Sequence, residues 1–213
     1  MGLDRELVVR TALRVLNEEG LEGLTLRRIA RELDVQAPAL YWHFKNKQEL
    51  VDEMATTMLR DLMGTAKPDA RQSWVEFMAE MARGLRRMLL SYRDGAKVFS
   101  GTRLTDDTLY ASMDVALRKL VDAGFSLRDA VCGFSTVSNY TVGFAIEEQA
   151  VHPLPGQHNE QYDLNRRSKR IDGKRFPLAL AAGEEIFTEF DDRFERGLRL
   201  ILSGMEQLLP KGR

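Results

Sequence analysis

Residues 25–47 read TLRRIARELDVQAPALYWHFKNK, and the rest of the chain can be placed by working outward from them. Leu26, Ile29, Ala30 and Leu33 recur at three- and four-residue spacing, which puts them on one helical face, with Arg27, Arg28 and Arg31 on the other. Asp34 to Gln36 interrupt the pattern. A second short run comes next with Pro38 in its first turn, where a missing N–H costs least, and with Leu40 and Phe44 on its inner side. Two short helices joined by a tight turn are predicted. The second presents Ala37, Pro38, Ala39, Tyr41, Trp42 and His43 at its front, with Lys45 and Lys47 directly behind, a face suited to a DNA groove.

Spacing alone does not separate a DNA-reading element from an ordinary helical hairpin; side-chain chemistry does. Tyr41, Trp42 and His43 pointing outward ahead of two lysines would make a poor solvated surface. Five basic and two acidic side chains give this stretch a formal charge of +3, whereas the whole chain stands at −1. A basic patch on a near-neutral protein suits phosphate contact without general adhesion to polyanions.

On the N-terminal side, Leu7, Val8, Ala12, Leu13, Val15 and Leu16 form a stripe over 4–19, ended by Gly20. Thr25 offers an N-cap hydroxyl to the next helix. On the C-terminal side, Asn46 is placed to cap a helix over 47–64, with Leu50, Met54 and Met58 inward and Gly64 and Pro68 marking its end. From Ser73 onward the sequence reads as one helix after another with no alternating strand pattern, so the expected class is all-α. Trp74, Phe77, Met78, Met81, Leu85, Met88 and Leu89 make one stripe, succeeded by a loop from Asp94-Gly95. Helices are then predicted over 105–123 and from Ser126 to about 149. Residues 150–176 carry Pro153, Pro155, Gly156 and the basic run RRSKR and read as irregular. Apolar positions between 184 and 209 form a wide stripe read as one long helix.

The 213 residues are 44% hydrophobic, enough for a large domain or for a small one joined to a larger. The expected division is 1–46 as the helix-turn-helix and 47–213 as the remainder, with 47–64 connecting them. The single cysteine, Cys132, excludes an intrachain disulfide, and its apolar neighbours predict a buried thiol. The chain is charged from its fourth residue and no window reaches about 18 uncharged apolar residues, which argues against secretion and membrane insertion and for a reducing, cytoplasmic setting. GxSxG, GxxxxGK, HExxH and GxGxxG between strand and helix are all missing. Among the three histidines, His152 and His158 lie six residues apart in a polar segment, where surface histidines far outnumber metal ligands. Glu147 and Glu148 show no paired-acid spacing. No enzyme, metal or cofactor is expected.

The run LTLRRIARELDVQAPALYWHFKNKQELVD at 24–52, and above all its LYWHFKNK core, resembles the DNA-binding segment of the TetR family of transcriptional repressors. YRDGAKVFSGTR at 92–103 and GFSLRDAV at 124–131 are similar to the family's tetracycline-responsive branch, so the resemblance covers nearly the whole chain and is weakest at about 150–180. It implies a homodimer that binds palindromic double-stranded operator DNA and is released by a small effector. Dimerisation is implied through 127–149 and 184–209, and the DNA argument agrees, because one short helix reads only a few base pairs. Arg27 matches a base-contacting arginine; Tyr41, His43 and Lys47 match phosphate contacts. Arg28, Pro38 and Trp42 lie on the same segment, and Ala37 and Ala39 stand where the branch has glutamine and threonine. On the effector side the branch uses a magnesium-binding histidine, a histidine and an asparagine that grip the drug, and a glutamine. This chain has Phe99, Met63, Met81 and Ala116 at those positions, and retains Thr102, Arg103 and Glu147. With Leu85, Val131 and Phe134 they predict an apolar lining for a small hydrophobic or aromatic effector. A magnesium–tetracycline effector is the alternative, and a DNA-binding regulator with no small-molecule input is the second.

Overall fold

In the computed structural model, residues 3–65 and 71–210 are described, and among them the regular structure is helical throughout. Helix α1 spans Arg5–Gly23, with Asp4 Oδ1 accepting from the Leu7 N–H at 2.8 Å. Gly20, at φ +75°, kinks it where the stripe was expected to end, and one further turn succeeds it. Helices α2 (Leu26–Glu32) and α3 (Ala37–Tyr41) form the helix-turn-helix. Thr25 Oγ1 accepts from the Arg28 N–H at 3.1 Å, a cap worth about 1 kcal/mol. Helix α4 (Lys47–Thr65) is capped by Asn46, whose side-chain oxygen takes the Glu49 N–H at 2.9 Å. Pro68, expected to mark its end, lies outside the described residues. Then come α5 (Trp74–Leu90), opened by a Ser73–Glu76 capping box, α6 (Gly95–Phe99), α7 (Thr108–Asp122) and α8 (Leu127–Val151). A single 3-10 turn at Glu160–Tyr162 precedes α9 (Leu164–Arg170), α10 (Pro177–Phe187) and α11 (Phe190–Glu206).

The structure corrects four expectations. The loop after Asp94 holds a short helix, α6, entered through Asp94 at φ +54°. Residues 150–176 are only partly irregular, since the 3-10 turn and α9 fall within them, each begun by an Asx cap from Asn159 or Asp163. The long C-terminal helix is two: Thr188 leaves the helical region and Glu189 sits at φ +49°, so α10 ends and α11 starts in a new direction. An apolar count cannot register a two-residue change of axis. Finally, Cys132 is exposed. The buried face of α8 is Ala130, Gly133, Val137, Thr141 and Ala145, a stripe that turns Val131 and Cys132 outward. Small residues occupy that face because α11 passes close by, and a Cβ on Gly133 would run into the side chain of Met205.

Two apolar cores result. The first joins Val8 and Leu16 of α1, Ile29, Leu40 and Phe44 of the helix-turn-helix, Leu50, Met54 and Met58 of α4, Leu85 and Leu89 of α5, Val98 of α6 and Ala145 of α8. The second is built from Met78 and Ala82 of α5, Leu120 of α7, Val137 of α8 and Phe194, Leu198 and Leu202 of α11. Residues 46 and 47 therefore mark no gap in packing. Helix α4 is a wall shared by the head and the larger helical body.

Candidate DNA-reading face and the helices behind it

The reading face is held from beneath. Leu40 and Phe44 are fully buried, and the Arg5 guanidinium lies 4.3 Å from the Phe44 ring centroid while donating to the His43 carbonyl. Burying two such side chains contributes about 1.5–3 kcal/mol each. The turn between α2 and α3 closes through the Val35 N–H to the Ala30 carbonyl at 3.0 Å, with Asp34 at φ +53°, a conformation its short polar side chain tolerates. Against this fixed base Trp42 stands 91% and Tyr41 54% exposed. Arg27, Pro38 and Lys47 are exposed as well, and Ala37, Ala39 and His43 are half-buried. The Lys47 ammonium donates to the Leu21 carbonyl at 2.7 Å, which ties the start of α4 to the end of α1.

The arginines of α2 divide into two kinds. Arg27 and Arg31 are exposed and pair with no carboxylate among the described residues. Arg28, expected on the reading face, is instead caged by Glu19 at 2.5 Å, Glu18 at 3.4 Å and Glu32, and its side chain is only 15% exposed. Glu32 also receives Arg14 at 2.7 Å, and its hydrogen bonds from Arg28 and then Arg14 hold its carboxyl below the usual range. Arg28 therefore pins α2 to α1. Its i,i+4 partner Glu32 was visible in sequence, whereas Glu18 and Glu19 approach only through the fold. Gln36, which sequence reading left in the turn, emerges exposed at the head of α3, and its side chain makes no capping hydrogen bond.

Behind this face two hydrogen-bonded seams meet the body. In the first, the segment after α6 lies on α4: Thr105 N–H donates to Thr56 Oγ1 and Thr105 Oγ1 to Glu53, both at 2.9 Å, and Arg60 pairs with Asp106 at 2.7 Å. Glu53 also faces Arg5 at 3.5 Å, so the seam reaches the support of α3. In the second, the α5–α6 corner docks on α1. The Arg93 N–H donates to Asn17 Oδ1 at 2.9 Å and the Leu21 N–H to Asp94 Oδ2 at 3.0 Å. Burial pushes the Asp94 carboxyl up, but Lys97 and the Leu21 N–H outweigh it and hold it below its ordinary value. Buried Gln149 of α8 fastens the same corner, accepting from Ala96 N–H at 2.9 Å and donating to the Tyr92 carbonyl at 2.7 Å.

The ten residues expected to hold an effector are distributed between the cores and the surface. Leu85 belongs to the first core and Phe99 packs on it; Met81 and Phe134 pack on the second. Ala116 is buried, and Met63 is half-buried with its sulfur accepting from Ser112 Oγ at 3.1 Å. The Thr102 hydroxyl turns back to the Phe99 carbonyl at 2.8 Å. Arg103, Glu147 and Val131 are exposed. A groove of about 580 Å³ lies elsewhere, between Glu148 and His152 of the α8 end, Tyr162 and Asp163, and Phe187 to Asp191, and none of the ten lines it. Glu148 on its wall is spoken for by Arg86, which grips it through two 2.7 Å hydrogen bonds. Among the described residues no group of three or more His, Cys, Asp or Glu is placed to hold a metal ion, and no helix is long and apolar enough to cross a membrane.

Comparison with known proteins agrees with this layout. The family model "Bacterial regulatory proteins, tetR family" matches residues 8–54, and "Tetracyclin repressor-like, C-terminal domain" matches 67–209. The class D tetracycline repressor of Escherichia coli is 44% identical over 212 residues, covering 97% of this chain and 94% of its own. A possible TetR family regulator from Streptomyces coelicolor superposes with a TM-score of 0.85 at 38% identity, over 96% of this chain and all of the other. A glutamine-to-alanine variant of TetR from Acinetobacter baumannii, in complex with minocycline, superposes at 0.76 with 33% identity over 99% of this chain and all of the other. One matched segment ends within α4 and the other begins just beyond it, where α4 carries the head on the helical body, and the chain is a member of the TetR family: a homodimeric, ligand-responsive transcriptional repressor that binds operator DNA and is not an enzyme.

Proposed function

We propose that the effector is a small hydrophobic or aromatic molecule bound without magnesium in the body formed by residues 47–213. One observation carries this reading. Where the tetracycline-responsive branch has polar and metal-binding side chains, this chain has Phe99, Met63, Met81 and Ala116; the first three are half-buried, Phe99 and Met81 against the apolar cores, and the fourth is buried. Phenylalanine and methionine offer no ligand to a hard ion that requires oxygen donors. They do offer adaptable apolar surface of the kind that lines ligand pockets, with Arg103 and Glu147 as orienting groups. Helix α4 (Lys47–Thr65) then acts as the connecting element, since it carries both the head and the Thr105 seam. A ligand that favours the DNA-incompatible state by about 5.5 kcal/mol converts a 1:99 mixture to 99:1. In the DNA-bound state the two reading helices of the dimer stand about 34 Å apart, one turn of duplex. Arg27 reads a base edge, and Tyr41, His43 and Lys47 hold phosphates. Its operator places the protein with the chromosome, in the cytoplasm.

Tetracycline with magnesium is the second reading, favoured by the minocycline complex of the Acinetobacter variant, in which loss of a glutamine is compatible with drug binding in that protein. Calorimetric titration separates the two. Aromatic polyketides are expected to bind equally with and without EDTA; tight tetracycline binding abolished by EDTA would overturn the proposal and assign the ion to Glu147, Thr102 and water.

A further inference from the structure

We propose that Gln36 reads a base directly, its side-chain amide selecting an adenine in each operator half-site. It is absent from the contacts implied by family resemblance and emerges from the geometry at the head of α3. The first three residues of that helix are Ala37, Pro38 and Ala39, none of which has a side-chain donor or acceptor, and Leu40 is fully buried. Entering the groove tip first, α3 has no hydrogen-bonding side chain between Gln36 and Tyr41. Gln36 is exposed and sits at the N-cap with extended backbone, φ −73° and ψ +138°, and its side chain makes no capping hydrogen bond. Residues at an N-cap ordinarily spend their polar atoms on the first turn, as Thr25 and Ser73 do here. Gln36 does not, so both its carbonyl and its NH2 remain uncommitted.

That uncommitted amide has one geometric match in the major groove. Adenine presents N7 as acceptor and N6 as donor side by side, and a glutamine amide meets both at once. The methyl side chains of Ala37 and Ala39 help by allowing the helix tip to approach the base edges closely, which bulkier residues would prevent. Arg28 cannot substitute, because it is enclosed by three carboxylates, and the uncommitted Arg27 and Arg31 belong to α2 rather than to the tip of α3.

The test uses the full-length dimer and a set of duplexes randomised across the half-site. Wild type is expected to prefer adenine at one symmetric pair of positions by about 5- to 150-fold. Gln36→Ala should lose that preference alone while keeping every other. Gln36→Glu should move it toward cytosine, since a carboxylate accepts from cytosine N4. Thermal midpoints of all three proteins should coincide, because the Gln36 side chain makes no internal bond and its backbone carbonyl, which accepts from the Ala39 N–H, is kept in every variant. Base preferences unchanged at every position in both variants, or a uniform loss of affinity across all duplexes, would overturn the assignment; the second result would make Gln36 a backbone contact.

Discussion

Residues 36–47 and 151–190 both carry the chain between helices through short, partly irregular connections, yet they are specified in opposite ways. In the first, each local signal agrees with the fold: Pro38 sits in the first turn, Leu40 and Phe44 point down, and Asn46 caps α4. In the second, prolines and a basic run suggested irregular chain, but two short helices form and the stripe beyond them breaks at Thr188–Glu189. Their supports differ. The reading head rests on buried apolar side chains fixed by spacing, whereas the end of α8 and the start of α11 are joined by Arg86. That guanidinium, 11% exposed, reaches Glu148 and Asp191 and lies 4.9 Å from the Phe194 ring centroid. Spacing within a helix is visible in sequence; a charge cluster drawn from three helices is not.

The comparison can be broken most forcefully at Arg86. Arg86→Ala leaves Glu148 buried without its partner and should cost about 3–5 kcal/mol in denaturant unfolding. Replacing both members with Met and Leu should recover most of that loss; failure of the double replacement to do so would mean the cluster does more than hold α5, α8 and α11 together. At the head, Phe44→Ala should cost a similar ~3–5 kcal/mol. Because Phe44 shares a core with α4 and α5, the whole chain should lose stability in one transition. Two separate transitions, with the head melting first, would restore an independent domain ending near residue 46.

Assembly gives a smaller but distinctive effect. Leu198 and Leu202 are 1% and 6% exposed and belong to the protomer's own second core, whereas Leu200 is 77% exposed. Leu200→Glu should yield folded monomers at micromolar concentration by sedimentation, with operator binding lost. Leu198→Glu should unfold the chain; folded monomers from it would reverse the assignment of the two faces of α11.

The arginines of α2 sharpen the comparison within the head. Arg27→Ala should leave the melting temperature unchanged and cost about 1–3 kcal/mol of discrimination at one base pair. Arg28→Ala should lower the melting temperature and weaken binding to all duplexes alike, through loss of its three carboxylate partners. Smallest is the response to acid. Asp61, held down by Arg10, and Asp94 both have folded-state values below the ordinary 3.8 of an aspartate. The stability they contribute is fully present above the unfolded value and is lost as pH falls through the folded one. Melting temperature should therefore be flat between about pH 5 and 8 and fall below about pH 4. A fall already under way at pH 6 would point to other groups.

Much of the fold was legible because its signals are short-range. Thr25 and Asn46 cap the helices expected of them, Ser73 and Ser126 cap the helices that begin there, and the stripes of α1, α4 and α5 bury most of the residues they imply, with Leu7, Trp74, Phe77 and Met81 left half-buried. Misreadings arise where one helix presents more than one apolar face. On α8 the large side chains Val131 and Phe134 suggested the inner side, but close approach of α11 selects Ala130 and Gly133. The exposure of Tyr41 and Trp42 over buried Leu40 and Phe44 was legible for the same short-range reason, whereas Gln36, an exposed polar residue at the end of a turn, gives no periodic signal.

The sequence by itself determines the identity of each local element and the chemistry it displays: helical caps, buried stripes, and the cluster of aromatic and basic side chains at 41–47. Local backbone preferences and side-chain spacing act within a few residues, so they can be read along the chain. The tertiary structure alone decides which polar groups remain free for a partner. Arg27 and Arg28 are adjacent and chemically identical, yet one meets solvent and the other meets Glu18 and Glu19 of a neighbouring helix. Electrostatic and hydrogen-bonding partners are chosen by distance in space, and only the packed chain sets that distance.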